Sequence, residues 1–382
     1  MSKLDVLIST INKNFKEDIA MKGVVERNFE KIPFSSPLAN YMTYGGLPRG
    51  RIIEFAGEEN GGKTTTALDI VSNAQRLFEK EYYQELENLQ ELESKNKLSK
   101  EQKTRLSYLE ERGIKKVVYC DCENTLDVEW AKTLGVNTDD MILLKPMSQT
   151  AEQIFEVLLQ MIDTDEVGLL ILDSLGVMIS QQAFEKTMEE KTYGGIASSL
   201  TLFSKKAELI CTKNDVTLIG INQMREDMSG FGQQITTGGK GWKHNCSLRL
   251  MFRKGDYIDE ANNVVKKSVG NPAGNLIEMV IAKTKVCRPD RKNGWYTLNY
   301  TNGVDVVSDT IELAMYYDII QKAGAWFTII DIDTGEILQI TTEEGKQQDL
   351  KFQGKPSLIK YVKENQELFE HIHTQVMERL KE

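Results

Sequence analysis

No apolar run in the 382 residues reaches the roughly 18 that a membrane-spanning helix needs, and no secretory leader opens the chain. The expectation is a cytoplasmic protein with no membrane partner. The five cysteines (Cys120, Cys122, Cys211, Cys246, Cys287) lack metal-ligand spacing, and the three histidines form no cluster, so zinc chemistry and a histidine-centred catalytic set have no support. Cys120 and Cys122 share a strand-like run, where alternation puts both on one face; they read as reduced thiols in or near the core. Positive charge is not in excess. The net charge is −10, so bulk electrostatics do not suggest nucleic acid, although a global charge can hide a local basic groove. Repeats and low-complexity tails are absent.

What is present is sharper. Gly57-Glu58-Glu59-Asn60-Gly61-Gly62-Lys63-Thr64 fits the phosphate-binding P-loop pattern, with Thr65 following. The apolar run Arg51–Ala56 precedes it, and Leu68, Val71, Ala74 and Phe78 follow at helical spacing. Strand, glycine loop and helix are the context the pattern requires. Glycines let backbone N–H groups curl around a phosphate, and the helix N-terminus favours the anion. Lys63 would reach the β- and γ-phosphates, and the Thr64 hydroxyl would hold Mg²⁺. The bland alternative is a chance glycine turn.

Residues 2 to about 21 read as one helix opened by a Ser2–Asp5 capping box, with Leu4, Leu7, Ile8, Ile11, Phe15 and Ile19 on one stripe. The stripe could pack on its own domain or on a neighbour. From 33 to 320 strand and helix patterns alternate. Strands are expected at 51–57, 116–121, 141–145, 168–173, 216–221, 246–252, 276–283 and 295–300, which argues for an α/β core with a mainly parallel, doubly wound sheet. Residues 79–112 interrupt this alternation. About half of them are charged, and leucines recur at helical spacing around a break at Ser94–Leu98, so a helical hairpin is expected. A solvated insertion and a docking arm are both open readings. Residues 321–382 read as a small α+β domain.

Three strand ends carry polar groups. Gly168–Asp173 is an apolar strand ending in an acid, the form that places a carboxylate beside a P-loop to orient Mg²⁺. Val117–Glu123 is a second. Glu123 would project where open α/β sheets bind ligands, and a carboxylate there can activate the water that attacks a γ-phosphate; a helix-capping acid is the alternative. Val216–Gln223 ends in amides, and Gln223 can report a terminal phosphate to the segment after it. That segment, Ser229–Arg249, contains no acid; it holds five glycines with Lys240, Lys243, His244 and Arg249, and interleaves Phe231 and Trp242. Cations that track phosphates and rings that stack on bases suit single-stranded nucleic acid; an ordinary surface loop is the alternative. Lys283 and Lys285 share one face of a further strand and lie beyond reach of their own P-loop, so they either serve a neighbouring subunit's phosphate or line a solvated edge.

Taken together, these motifs resemble the RecA family of bacterial and bacteriophage strand-exchange recombinases. The likeness rests on Leu47–Glu54 leading into the P-loop, Glu123–Asp127 with Trp130–Val136, Ile221–Arg225, Thr236–Gly239, Lys283–Lys285 and Ala323–Trp326, in order along the chain. The resemblance implies an ATP- and Mg²⁺-dependent protein that forms helical filaments on single-stranded DNA, pairs it with homologous duplex and hydrolyses ATP under DNA stimulation. It implies a RecA-like P-loop ATPase core at 33–320, an N-terminal oligomerisation helix within 1–32 and the small C-terminal domain. By it, Glu123 positions the attacking water, Lys63 and Gln223 join it in catalysis, and Gln223 senses the γ-phosphate. Thr64 and Asp173 hold the metal, and Asp127 and Trp130 match adenine contacts. Lys283 and Lys285 match lysines that reach the neighbour's ATP. Gly194 and Gly195 close the first DNA loop, and Gly238, Gly239, Lys240, Trp242, Lys243 and Arg249 belong to the second. A single-strand-binding protein and a loader are further expected partners.

The sequence also departs from the family's pattern. Trp130 stands where tyrosine is usual, Trp242 and His244 are unexpected, the first DNA loop keeps little beyond its closing glycines, and 79–112 is extra. The chain stops at Lys381-Glu382 without the family's acidic extension, from which less magnesium-dependent autoinhibition is expected. A hexameric motor and an ATP-gated scaffold share much of the motif set; a P-loop kinase would leave the Gly/Lys segment unexplained.

Overall fold

The computed structural model describes residues 2–15, 20, 29–187, 195–226, 234–266, 271–331, 334–341 and 347–381. The chain divides into two units, Met1–Glu30 and Lys31–Glu382. In the first, the helix Lys3–Phe15 opens as expected. The Asp5 N–H donates to Ser2 Oγ at 3.2 Å, and the Ser2 N–H donates to Asp5 Oδ2 at 2.9 Å. Of its apolar stripe, Leu4, Leu7 and Phe15 are exposed by 59%, 53% and 66% among the described residues. The expected extension to 21 falls largely on 16–19 and 21, outside the described residues.

The second unit is built on one sheet. Its strands are β1 (Ile52–Gly57), β2 (Lys116–Asp121), β3 (Met141–Leu144), β4 (Val167–Asp173), β5 (Thr217–Glu226), β6 (Gln234–Thr236), β7 (Leu248–Ile258), β8 (Val264–Val265), β9 (Gly274–Thr284), β10 (Asn293–Asn299) and β11 (Gly303–Val304). The spatial order is β11-β10-β9-β7-β1-β5-β4-β2-β3, with β8 on β7 and β6 on β5. From β7 through β3 every neighbour is parallel, whereas β9, β10 and β11 extend the sheet antiparallel. All the expected strands form. The strand expected at 246–252 runs on to Ile258, because Arg253, Lys254 and Asp256 break the apolar run without breaking the ladder to β9.

Helices cover both faces, so the parallel strands alternate between two apolar surroundings. Ile53, Phe55, Val117, Tyr119, Leu169, Ile171 and Ile219 face the helix Lys63–Ser94. Ile52, Val118, Cys120, Leu170, Leu172 and Leu218 face the helices Ala151–Asp163 and Ala197–Asn214. Cys120 and Cys122 lie on that second face with Sγ atoms 3.7 Å apart, and all five cysteines are free.

The helix from Lys63 does not stop at the edge of the domain. Its first five turns bury Ala67, Leu68, Ile70, Val71, Ala74 and Phe78, and it continues to Ser94. Lys100–Arg112 folds back along it, opened by a Ser99–Gln102 capping box. Leu89, Leu106 and Leu109 make a separate small core, with Tyr82, Leu86 and Leu98 at its rim. The base of this hairpin is tied to the sheet domain: Arg49 pairs with Glu81 at 2.7 Å and with Asp215 at 2.5 Å, Lys115 pairs with Asp165 at 3.3 Å, and the Tyr108 hydroxyl donates to Asp165.

At the C-terminal end, the strands Ile320–Ala323, Trp326–Ile329 and Lys351–Gln353 and the helices Lys355–Glu364 and Gln366–Arg379 enclose their own core. The helix Val306–Tyr316 contributes Ile311, Leu313 and Ala314 to it, so this core begins before residue 321.

Candidate nucleotide and nucleic-acid site

Four strands bring their carboxyl ends to one line. Gly57 of β1 is level with Gln223 of β5, and Asp121 of β2 with Asp173 of β4. Ligands of open α/β sheets bind outside these ends. The turn from β1 into its helix passes through Gly62 at φ +91°, and a Cβ there would sit 2.7 Å from Ile277 Cδ1, so both handedness and space require glycine.

Lys63 is buried beneath this turn, and its Nζ donates to the carbonyls of Gly57, at 3.1 Å, and Glu58. Burial pushes its ammonium below the ordinary lysine value, and the carboxylates of Asp173 and Glu123 partly offset this. Thr64 Oγ1 donates to Asp173 Oδ2 at 3.0 Å, and the Tyr119 hydroxyl donates to the same oxygen at 2.7 Å. Burial raises the Asp173 carboxyl above its usual range, against the pull of those two hydrogen bonds. A buried carboxylate and a threonine hydroxyl, both hard oxygen donors beside a phosphate loop, fit Mg²⁺.

Glu123 lies two residues past β2. The buried Asp121 carboxylate holds its turn by accepting from the N–H groups of Thr125 at 3.2 Å and Leu126 at 3.0 Å. Glu123 Oε1 accepts from the Ser174 hydroxyl and from Gln223 Nε2, the latter at 3.2 Å. The structure therefore brings Lys63, Thr64, Asp173, Glu123 and Gln223 together. Three supporting groups were not singled out from sequence: Asp121, Tyr119 and Ser174. Asp121 was within reach as the strand-end acid two residues before Glu123; the other two carry no motif.

A cavity of about 400 Å³ opens beside the loop, lined by Asn60, Gly61, Gly62, Lys63, Thr64 and Thr65 on one side and by Trp130, Lys254, Asn275, Ile277, Leu298 and Tyr300 on the other. Trp130 Nε1 donates to Thr65 Oγ1 at 3.3 Å. Asp127 caps the short helix Val128–Thr133 by accepting the Trp130 N–H at 3.0 Å, so it positions that ring. Lys254, Asn275 and Tyr300 sit in strands or turns with no local signature, so periodicity alone could not find them.

The expected DNA residues divide. Gly194 and 229–233 lie outside the described residues, as do 188–193 of the expected first loop. Gly195 is described, at φ +49°. Gly238 and Gly239 are left-handed and start the helix Gly239–Asn245, which leaves Lys240 exposed and Lys243 half-buried. Trp242 and Arg249 require correction as surface contacts. Trp242 is 0% exposed: it packs against Gly220, where a Cβ would stand 2.5 Å from its ring, and its Nε1 donates to Glu54. Arg249 Nε donates to Glu54, and only 15% of its side chain is exposed. A carboxylate buried in β1 has drawn both inward. Lys283 and Lys285 do share a face: Lys283 Nζ donates to the carbonyls of Lys243 and His244 at 2.7 Å, and Lys285 Nζ to that of His244 at 3.0 Å. They close the C-terminal end of the Gly239–Asn245 helix, where cations are favoured.

Residues 2–88 and 106–305 match the family model described as the RecA N-terminal domain. Over 380 residues the chain is 27% identical to the RecA protein of Caldanaerobacter subterraneus subsp. tengcongensis, covering 98% of this chain and 92% of that one. It is 29% identical over 331 residues to the RecA protein of Syntrophus aciditrophicus, covering 85% and 83%. It is 28% identical over 382 residues to that of a Nocardioides species, covering 99% and 91%.

Proposed function

The chain belongs to the RecA family, DNA-dependent ATPases of homologous strand exchange, and from that premise we propose how its own residues divide the work. ATP lies along the P-loop with its base in the cavity faced by Trp130. Lys63 holds the β- and γ-phosphates. Thr64 and Asp173 hold Mg²⁺, which supplies positive charge where negative charge develops on the phosphates. Glu123 orients a water in line with the γ-phosphorus and takes its proton as the bond to the leaving ADP oxygen breaks. Gln223 contacts the γ-phosphate and relays its presence to the segment that follows β5. The observation that carries this reading is the convergence of Thr64 on Asp173 at 3.0 Å and of Gln223 on Glu123 at 3.2 Å, at the carboxyl ends of four consecutive strands of the sheet.

Single-stranded DNA runs past Lys240 and Lys243, and the protein polymerises on it as a helical filament in the cytoplasm. The apolar stripe of Lys3–Phe15 docks on a neighbouring protomer. Ile142, Met147 and Val157, exposed by 38%, 82% and 45% beside the edge strand β3, offer an apolar face of the right kind to receive it. Lys283 and Lys285, at the end of the DNA-loop helix, reach the neighbour's ATP, so subunit contact and DNA order are linked. A single-strand-binding protein and a loader complete the expected partners.

Electron microscopy with single-stranded DNA and a slowly hydrolysed ATP analogue, beside ATP turnover with and without DNA, tests this reading. Extended helical filaments with DNA-stimulated turnover are expected. Closed rings would point to a motor, and filaments without turnover would remove Glu123 from its role.

A further inference from the structure

Glu54 takes no part in the phosphate chemistry, yet its carboxylate is 0% exposed in the middle of β1, three residues before the P-loop opens. A buried carboxylate survives only when its oxygens are satisfied. Here Oε1 accepts from Trp242 Nε1 at 2.9 Å and from Asn222 Nδ2 at 2.8 Å, and Oε2 accepts from Arg249 Nε.

The three donors come from three parts of the frame around the DNA segment. Asn222 immediately precedes Gln223, and its amide also donates to the Thr237 carbonyl at 2.8 Å. Among the described residues its buried Oδ1 has no hydrogen-bond partner, and the side chain is held by its two donated bonds. Trp242 is in the helix that carries Lys240 and Lys243. Arg249 opens β7 and reaches Thr236 Oγ1 at 3.5 Å. One carboxylate thus joins the strand that enters the P-loop, the neighbour of Gln223, and the segment from Thr236 to Arg249.

We propose that Glu54 is a positioning residue that couples nucleotide state to DNA affinity. A shift of Gln223 toward phosphate moves Asn222. Asn222 draws on Thr237 directly and on Trp242 and Arg249 through Glu54. Because Glu54, Asn222 and Trp242 are all 0% exposed, the displacement passes on as a change of position and is not absorbed by solvent. This inference rests on the reading of Gln223 as the sensor and of Lys240 and Lys243 as DNA contacts.

The test uses the full-length protein, with Glu54→Gln and Trp242→Phe. The first keeps the shape and removes the charge; the second keeps a ring and removes the N–H donor. Anisotropy of a labelled single-stranded oligonucleotide gives its affinity with the slowly hydrolysed ATP analogue and with ADP, and thermal melting reports folding. The wild type is expected to bind more tightly with the analogue, by a ratio of about 10 or more, and both variants are expected to bring that ratio down about fivefold or more. A purely structural role would lower the melting temperature and weaken both affinities equally. A wild-type ratio retained by a folded variant of either kind therefore overturns the inference alone. A wild type with equal affinities in the two states overturns the sensor reading and the inference with it.

Discussion

Gln223 Nε2 donates to Glu123 Oε1 at 3.2 Å, which joins the proposed phosphate sensor directly to the proposed water-activating carboxylate. The two act on the same end of the nucleotide but on different steps, so they should separate on mutation. Glu123→Gln is expected to lower ATP turnover by roughly 10²–10⁴-fold while nucleotide-dependent DNA binding persists. Steady-state ATPase beside oligonucleotide anisotropy checks this. Turnover at the wild-type level would remove Glu123 from catalysis.

Trp130 forms one wall of the nucleotide cavity and is held by Asp127 and Thr65. An aromatic face contributes about 1 kcal/mol beyond its buried area. Trp130→Ala is therefore expected to raise the KM for ATP about fivefold to tenfold and to leave kcat within about twofold, since the ring touches no reacting atom. Equal losses in kcat and kcat/KM would place Trp130 in the chemistry instead.

Asp309 predicts a pH dependence of stability. It is fully buried, accepts from the Ser36 hydroxyl at 2.5 Å and the Thr297 N–H at 3.1 Å, and has the acid Asp305 nearby. Burial outweighs those hydrogen bonds and pushes its carboxyl up from 3.8 to about 7. A carboxyl that binds its proton more tightly when folded loses stability as pH rises from its unfolded value to its folded one, and is level above that. Asp309→Asn removes this component. The melting temperature of the variant relative to the wild type is expected to climb between pH 5 and pH 7 and then stay constant. A flat difference across that window would show that Asp309 ionises without cost.

The hairpin has its own core, so damage to that core should remain local. Leu109 is 0% exposed against Leu89 and Leu106. Leu109→Ala is expected to cost about 2–5 kcal/mol within the hairpin. Limited proteolysis should cut within 89–105 at protease levels that leave the wild type whole, while ATP turnover stays near normal. Loss of turnover together with cleavage would mean that the hairpin and the P-loop domain unfold as one.

What could be read in advance had local causes. The P-loop and the strand-end acids are each specified within a dozen or so residues, by glycine spacing or an apolar run, and the hairpin by leucine periodicity within one contiguous stretch. The site assembles because parallel strands line up their carboxyl ends, which any doubly wound sheet does. Trp242 and Arg249 were misread because the reason for their burial, Glu54, lies 188 and 195 positions away and looks from sequence like an ordinary strand residue. Between Ser229 and Arg249 there is no acid, so the arginine reads from sequence as one of the segment's DNA-facing cations. Lys254 escaped notice for the same reason, since its place in the cavity is fixed by the pairing of β7 with β9 and not by its neighbours in the chain.

The helix that begins at Lys63 runs 32 residues without a break, about 48 Å from phosphate loop to hairpin tip. Its first five turns are held in the core and Arg49 ties it at Glu81, so the hairpin stands as a rigid outward extension of the P-loop domain. Whatever rests against the hairpin is therefore held at a fixed distance from the phosphate loop.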